Sequence, residues 1–100
     1  MIYLTQLIYI KAGEQETFNQ FEDIAIPAIA KYNGRLLLRI RPGHDEVVAG
    51  SIPTPYEIHM VEFQSDEDFE AFKADKDRNS FLHLKDRSIE SVLLIKGVQI

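Results

Sequence analysis

The hydrophobic pattern along the chain alternates between two periods, and each change marks an element. Ile2 to Lys11, IYLTQLIYIK, is dense in β-branched and aromatic residues and predicts a strand. Ala12-Gly13-Glu14 ends it. From Gln15 to Tyr32 the period lengthens. Phe18, Phe21, Ile24, Ala28, Ile29 and Tyr32 recur at helical steps and define one apolar face. Glu14, Glu16, Glu22 and Asp23 occupy the N-terminal half, where the helix dipole favours anions. Pro27 lies inside the pattern and lacks an amide donor, so a distortion is expected there. The apolar period continues past it, so the helix should not end at that point. Asn33-Gly34 supplies a residue able to turn left-handed and stop it.

Arg35 to Arg41, RLLLRIR, predicts the second strand, closed by Pro42-Gly43. A long connection runs from His44 to Pro55, with Val47-Val48-Ala49 as a candidate short extra strand. Tyr56 to Phe63, YEIHMVEF, reads as the third full strand. Ser65 then caps a helix whose first turn is acidic and whose apolar edge is Phe69 and Phe72. The polar run from Asp75 to Ser80 should interrupt it, and a second short helix carries Phe81, Leu82 and Leu84. Ser91 to Val98 is the last strand. The element order is β-α-β twice over, one domain spanning residues 1–100. This is the α+β, ferredoxin-like βαββαβ plan. It places a four-stranded antiparallel sheet under helices on one face, with the third strand filling the slot between the first two.

A sheet with one face in water should alternate apolar and polar residues. Here Tyr3, Leu7 and Tyr9 oppose Ile2, Leu4, Ile8 and Ile10. Ile58 and Met60 alternate with Val61 and Phe63, and Val92 and Leu94 with Leu93 and Ile95. Both faces are mainly apolar in three of the strands. A monomer would expose a large apolar patch, and a second copy is its simplest cover. The long connection is the competing cover.

Composition narrows the classes. The formal net charge is −5 and the pI about 5.1, which argues against nucleic acid as a partner. No apolar run approaches membrane-spanning length, and Met1 leads directly into a strand without a signal peptide. With no cysteines there is no disulfide framework, thiol nucleophile or thiolate metal site. A cytoplasmic protein is expected.

Short blocks along the chain carry a resemblance: Pro27, then Tyr32-Asn33-Gly34-Arg35-Leu36 with Arg39, then Val48-Ala49-Gly50, Val61-Glu62-Phe63-Gln64-Ser65, and Ala71-Phe72. On these residues the chain resembles the dimeric α/β-barrel superfamily, and within it a small family of domains of unknown function. The resemblance implies a homodimer. It also implies a ligand-sized cleft between sheet and helix, or inside the intermolecular barrel. Related families include cofactor-free monooxygenases, muconolactone-isomerase-like enzymes and chlorite-dismutase-like haem proteins, so the fold does not choose a reaction.

The chemistry-bearing residues are few. Alternation along the second strand turns Leu36, Leu38 and Ile40 toward the helices and Arg35, Leu37, Arg39 and Arg41 toward the barrel side. A central arginine needs a carboxylate or an anionic ligand. The resemblance makes Glu62 the expected partner of Arg39, since it matches the family's Glu-Phe-x-Ser block, and Phe63 beside it should enter the core and turn Glu62 the other way. The pair either lines a ligand cleft or acts as a structural ion pair at the dimer seam. His59, mid-strand, has the right pKa for proton transfer. His44, His59 and His83 are too scattered to show metal-ligand spacing. No phosphate-cradling glycine loop, nucleophile elbow or dinucleotide fingerprint is present, so no cofactor is expected from motifs; His83 as an axial haem ligand stays open.

Two functions fit. One is a homodimeric protein that binds or transforms a small organic molecule without a nucleotide cofactor, using Arg39, Glu62 and His59. The other is a non-catalytic homodimeric binding or assembly module. A polar cavity that persists when the apolar sheet face is covered separates them.

Overall fold

A computed structural model describes residues 1–100. Strand β1 (Ile2–Ile10) leads to helix α1 (Gln15–Ile29), a 3₁₀ turn at Ala30–Tyr32 and strand β2 (Gly34–Ile40). After the long connection come β3 (Glu57–Phe63) and three short helices: α2 (Asp66–Lys73), α3 (Lys76–Ser80) and α4 (Leu82–Ser88). Strand β4 (Ile89–Gly97) follows. The strands form one antiparallel sheet in the order β2-β3-β1-β4, so β3 does fill the slot between β2 and β1. No helix is long and apolar enough to cross a membrane.

Local chemistry explains the boundaries. Helix α1 continues through Pro27. Asn33, at φ 58°, takes the left-handed position that ends the helical segment. Gly34 is required for another reason. A Cβ there would lie 2.6 Å from Ile29 Cγ2 and 2.6 Å from Phe63 Cε1, so only glycine lets β2 close on the core. Ser65 caps α2, its hydroxyl accepting from the Asp68 amide at 3.1 Å. Val47-Val48-Ala49 forms no strand. It follows a 3₁₀ turn at His44–Glu46 and has no strand beside it to pair with. β-propensity without a pairing edge does not make a strand.

The largest departure from the sequence reading lies in β2. Leu36 pairs with Val61, but Leu38 pairs with Met60 and Arg39 with His59. An irregularity at Leu37 shifts the register, and past it every side chain changes face. Leu36 stays with the core. Leu38 and Ile40 turn to the open face, and Arg39 turns under the helices.

The helix-covered face carries Ile2, Leu4 and Ile8 from β1 and Val61 and Phe63 from β3. Ala28 and Ile29 of α1 and Phe69 and Phe72 of α2 pack on them. Phe63 anchors the cluster, its ring centroid 5.5 Å from that of Phe69 and 5.4 Å from that of Phe72. The other face is open. Leu38, Ile40, Leu93 and Ile95 on it are 43%, 40%, 49% and 51% exposed. They continue in two cross-strand rows, Ile40–Ile58–Leu7–Leu93 and Leu38–Met60–Thr5–Ile95. The long connection does not cover them. It touches this face through Tyr9, whose hydroxyl donates to the Pro53 carbonyl at 2.7 Å, while Val48 points wholly into solvent.

Candidate functional site

A polar row crosses the middle of the helix-covered face. Arg39, His59 and Gln6 stand opposite one another on β2, β3 and β1. Glu57 lies two residues before His59 on the same face of β3, and it is 0% exposed. Its two carboxylate oxygens are divided among three donors. Arg39 Nε donates to Oε2 at 2.7 Å, and Arg41 Nε donates to Oε1 at 2.7 Å. His59 Nε2 also bonds to Oε2. Burial works to raise the pKa of Glu57, but the hydrogen bonds from Arg39, Arg41 and His59 outweigh it and hold it below the ordinary value. Glu57 is therefore an anion near neutral pH.

That anion fixes the histidine. Burial pushes the His59 pKa below its usual 6.5 against the opposing pull of Glu57, so the ring is neutral at pH 7. With Glu57 ionised, Nε2 carries the hydrogen and Nδ1 keeps its lone pair. Nδ1 has no partner within the protein. No buried side-chain polar atom is both sealed and unpartnered, and His59 lines a cavity, so Nδ1 opens into that cavity.

The cavity measures about 230 Å³ and lies between the sheet, α1 and the three short helices. Its walls are mostly apolar, including Ala25, Ile26, Val61, Phe72 and Leu94. Glu22 enters it from α1. The buried stripe of this helix is Phe18, Phe21, Glu22, Ala25, Ala28 and Ile29, so a glutamate occupies an apolar position. Glu22 is 6% exposed. No hydrogen bond or ion pair reaches its carboxyl, so its oxygens also face the cavity. Burial, followed by the charge of Glu57, raises its pKa from 4.5 to about 7, against the pull of Arg39, Arg78 and Lys85. An acid poised to exchange its proton near pH 7 and a neutral imidazole with a free lone pair share one mostly apolar chamber. Groups poised in this way can donate and accept protons on a bound molecule.

Two further groups complete the walls. Arg78 is set by Asp75, the cap of α3, which accepts from the Arg78 amide at 2.8 Å and from the Tyr32 hydroxyl at 2.7 Å. The Arg78 guanidinium stacks over Phe72 at 5.2 Å and Phe21 at 5.8 Å. Lys85 reaches the cavity from α4.

The expected residues are divided by these positions. His59 lies in the site. Arg39 lies beneath the helices rather than on the barrel side, and its carboxylate partner is Glu57, not Glu62. Glu62 does face the open side, where it pairs with Arg35 at 2.8 Å. The expected Arg39–Glu62 pair is therefore absent, because the shift at Leu37 separates Arg35 from Arg39 across the sheet. Glu22, Glu57, Arg78 and Lys85 were not expected from sequence. Their signals were present for two of them: Glu22 interrupts an apolar helical stripe, and Glu57 shares the two-residue period of Val61 and Phe63. His83 and His44 lie outside the cavity, and no group of three His, Asp or Glu side chains converges as a metal site.

Comparison with known proteins agrees with this architecture. A family model described as Domain of unknown function (DUF1330) matches residues 6–98. Among solved structures, a protein of unknown function from Rhodopseudomonas palustris superposes with a TM-score of 0.83 at 13% identity, covering 99% of this chain and 82% of the other. An uncharacterized NIPSNAP domain protein from Burkholderia xenovorans gives 0.71 at 16% identity, over 100% and 95%. A putative antibiotic biosynthesis monooxygenase from Nitrosomonas europaea gives 0.75 at 9% identity, over 100% and 99%. At these identities the likeness is one of fold, the ferredoxin-like fold of this chain. No curated protein matches the sequence.

Proposed function

The chain belongs to the DUF1330 family, and from that premise we propose that it is a homodimer that binds a small organic molecule in the helix-side cavity and moves a proton on it, without a nucleotide cofactor. The observation that carries this reading is Glu22, a nearly buried carboxyl with no partner, facing an apolar chamber beside the free Nδ1 of His59. Perturbed titratable groups cluster at functional sites, and a mostly apolar pocket with a few convergent polar groups is where small ligands bind. Arg39 acts at one remove: with Arg41 it keeps Glu57 ionised, and Glu57 holds His59 in the tautomer that leaves Nδ1 free. Glu62 sits on the other face and has no part in the cavity chemistry.

Chemical-shift mapping with methyl-labelled protein tests the site. A panel of neutral, anionic and cationic aromatic compounds of about eight to twelve heavy atoms should contain binders that move the methyls of Ala25, Val61 and Leu94. Binders that shift only Leu38, Ile40 and Ile95, or no binders, would contradict it.

The homodimer rests on the open sheet face, which the long connection leaves uncovered. Sheet-to-sheet pairing about a two-fold axis would bury both apolar rows. Sedimentation at micromolar concentration should give twice the chain mass of 11.5 kDa. Leu38→Asp combined with Ile95→Asp should return a folded monomer, because charges in an apolar interface lose their hydration. A wild-type protein that sediments as a single chain would end this part of the reading. The same open face supports the second reading, a non-catalytic assembly module. That reading predicts a dimer with no ligand in the helix-side cavity.

A further inference from the structure

Every charged side chain around the cavity has an oppositely charged partner inside the protein except three: Glu22, Arg78 and Lys85. Lys73 pairs with Glu70 at 2.8 Å, and Arg39 is committed to Glu57. Arg78 donates only long bonds, at 3.3 Å to the Lys73 carbonyl and 3.4 Å to Asn79 Oδ1, and no carboxylate lies within ion-pairing distance of it. Lys85 forms no ion pair or hydrogen bond within the protein. Glu22, the one carboxyl lining the cavity, is only about half ionised at pH 7. Cationic charge therefore outweighs anionic charge among the unpaired groups of the cavity, in a chain whose net charge is −5. A half-buried guanidinium without a counter-ion is costly, and an anion seated beside it offsets that cost.

Resting on the reading of this cavity as the ligand site, we infer that its ligand is a small organic monoanion with an apolar body: the carboxylate seats between Arg78 and Lys85, Glu22 donates its O–H to the ligand, and the body lies against Ile26, Val61 and Leu94. Size and lining set the other limits. A volume of about 230 Å³ suits a small molecule better than a nucleotide or another large polyanion. Most of the lining is apolar, and the polar groups are few: Gln6, Glu22, His59, Lys73, Arg78 and Lys85. The cations select one anionic head, and the rest of the chamber rewards a hydrocarbon or aromatic tail.

Calorimetric titration of the 100-residue chain at pH 7 with benzoate, benzyl alcohol and benzylamine tests this inference. These probes share a ring and differ in charge. Benzoate should bind about tenfold or more tightly than the alcohol, and benzylamine more weakly than both. Arg78→Met and Lys85→Met should each weaken benzoate by about tenfold while leaving benzyl alcohol within about twofold. The unchanged alcohol affinity shows that the cavity and fold are intact. Equal affinity for benzoate and benzyl alcohol, or a benzoate affinity indifferent to both substitutions, overturns the anion assignment and leaves the cavity as a site for neutral ligands. Binding by none of the three overturns the assignment and the cavity reading together.

Discussion

Glu57→Ala should destabilise the protein by about 3 kcal/mol or more, the cost of breaking a buried ion pair by removing one partner. Glu57 is completely buried and is the common acceptor of Arg39, Arg41 and His59. Its loss leaves two guanidinium groups and an imidazole facing one another with nothing between them. Arg41 is half exposed and can recover water, which keeps the loss at the lower end of the range for such pairs. Arg39 is more enclosed and recovers less. For a domain of this size the loss corresponds to a fall in Tm of more than roughly ten degrees. Urea unfolding at pH 7 reads the effect directly. A loss below about 1 kcal/mol would mean that the network behaves like a surface salt bridge and does not hold His59 in place.

The second large effect concerns Glu22 and grows with pH. Its pKa rises from 4.5 to about 7 on folding, so the folded protein holds a proton that the unfolded chain has released. Stability from this source is fully present below the unfolded value of 4.5. It is lost as pH climbs through about 7, because the buried carboxyl must then ionise without a partner. Relative to Glu22→Gln, which cannot ionise, the wild-type protein should lose roughly 3 kcal/mol between pH 4.5 and pH 8. The glutamine variant is therefore expected to be the more stable protein at pH 8 and nearly equal to wild type at pH 4.5. Glu57, His59, Arg39, Arg78 and Lys85 are common to both proteins, so their own titrations largely cancel in the difference. Parallel stability profiles across this range would show that Glu22 has an ordinary carboxylate environment.

Much of the fold was legible because it depends on period and punctuation. The switch from two-residue to helical spacing located every strand and both helical segments. Pro27 and Asn33 acted as their chemistry requires. The site was less legible for a specific reason. Alternation along a strand assigns faces only while the register is unbroken, and one irregular residue, Leu37, reversed the assignment for Leu38, Arg39 and Ile40. Nothing in RLLLRIR marks that residue. A glycine would have been a cue, but leucine is not. Arg39 was correctly expected to need a carboxylate, but the partner was sought on the wrong face. Glu22 was readable in principle. Grouped with the other acids of the first turns it looked like a response to the helix dipole, whereas its place on the buried stripe made it an anomaly. Arg78 sits in a polar run that reads as a simple break between helices, and only the tertiary fold brings it against Phe21 and Phe72.

The carboxyl carbon of Glu22, followed by ¹³C NMR through a pH titration with and without benzoate, tests the central claim most directly. If a partnerless acid in the helix-side cavity meets the ligand, the midpoint lies near 7 in the free protein and moves clearly upward when benzoate is bound, since a neighbouring anion disfavours ionisation. A midpoint in the ordinary carboxylate range, unmoved by benzoate, would contradict it.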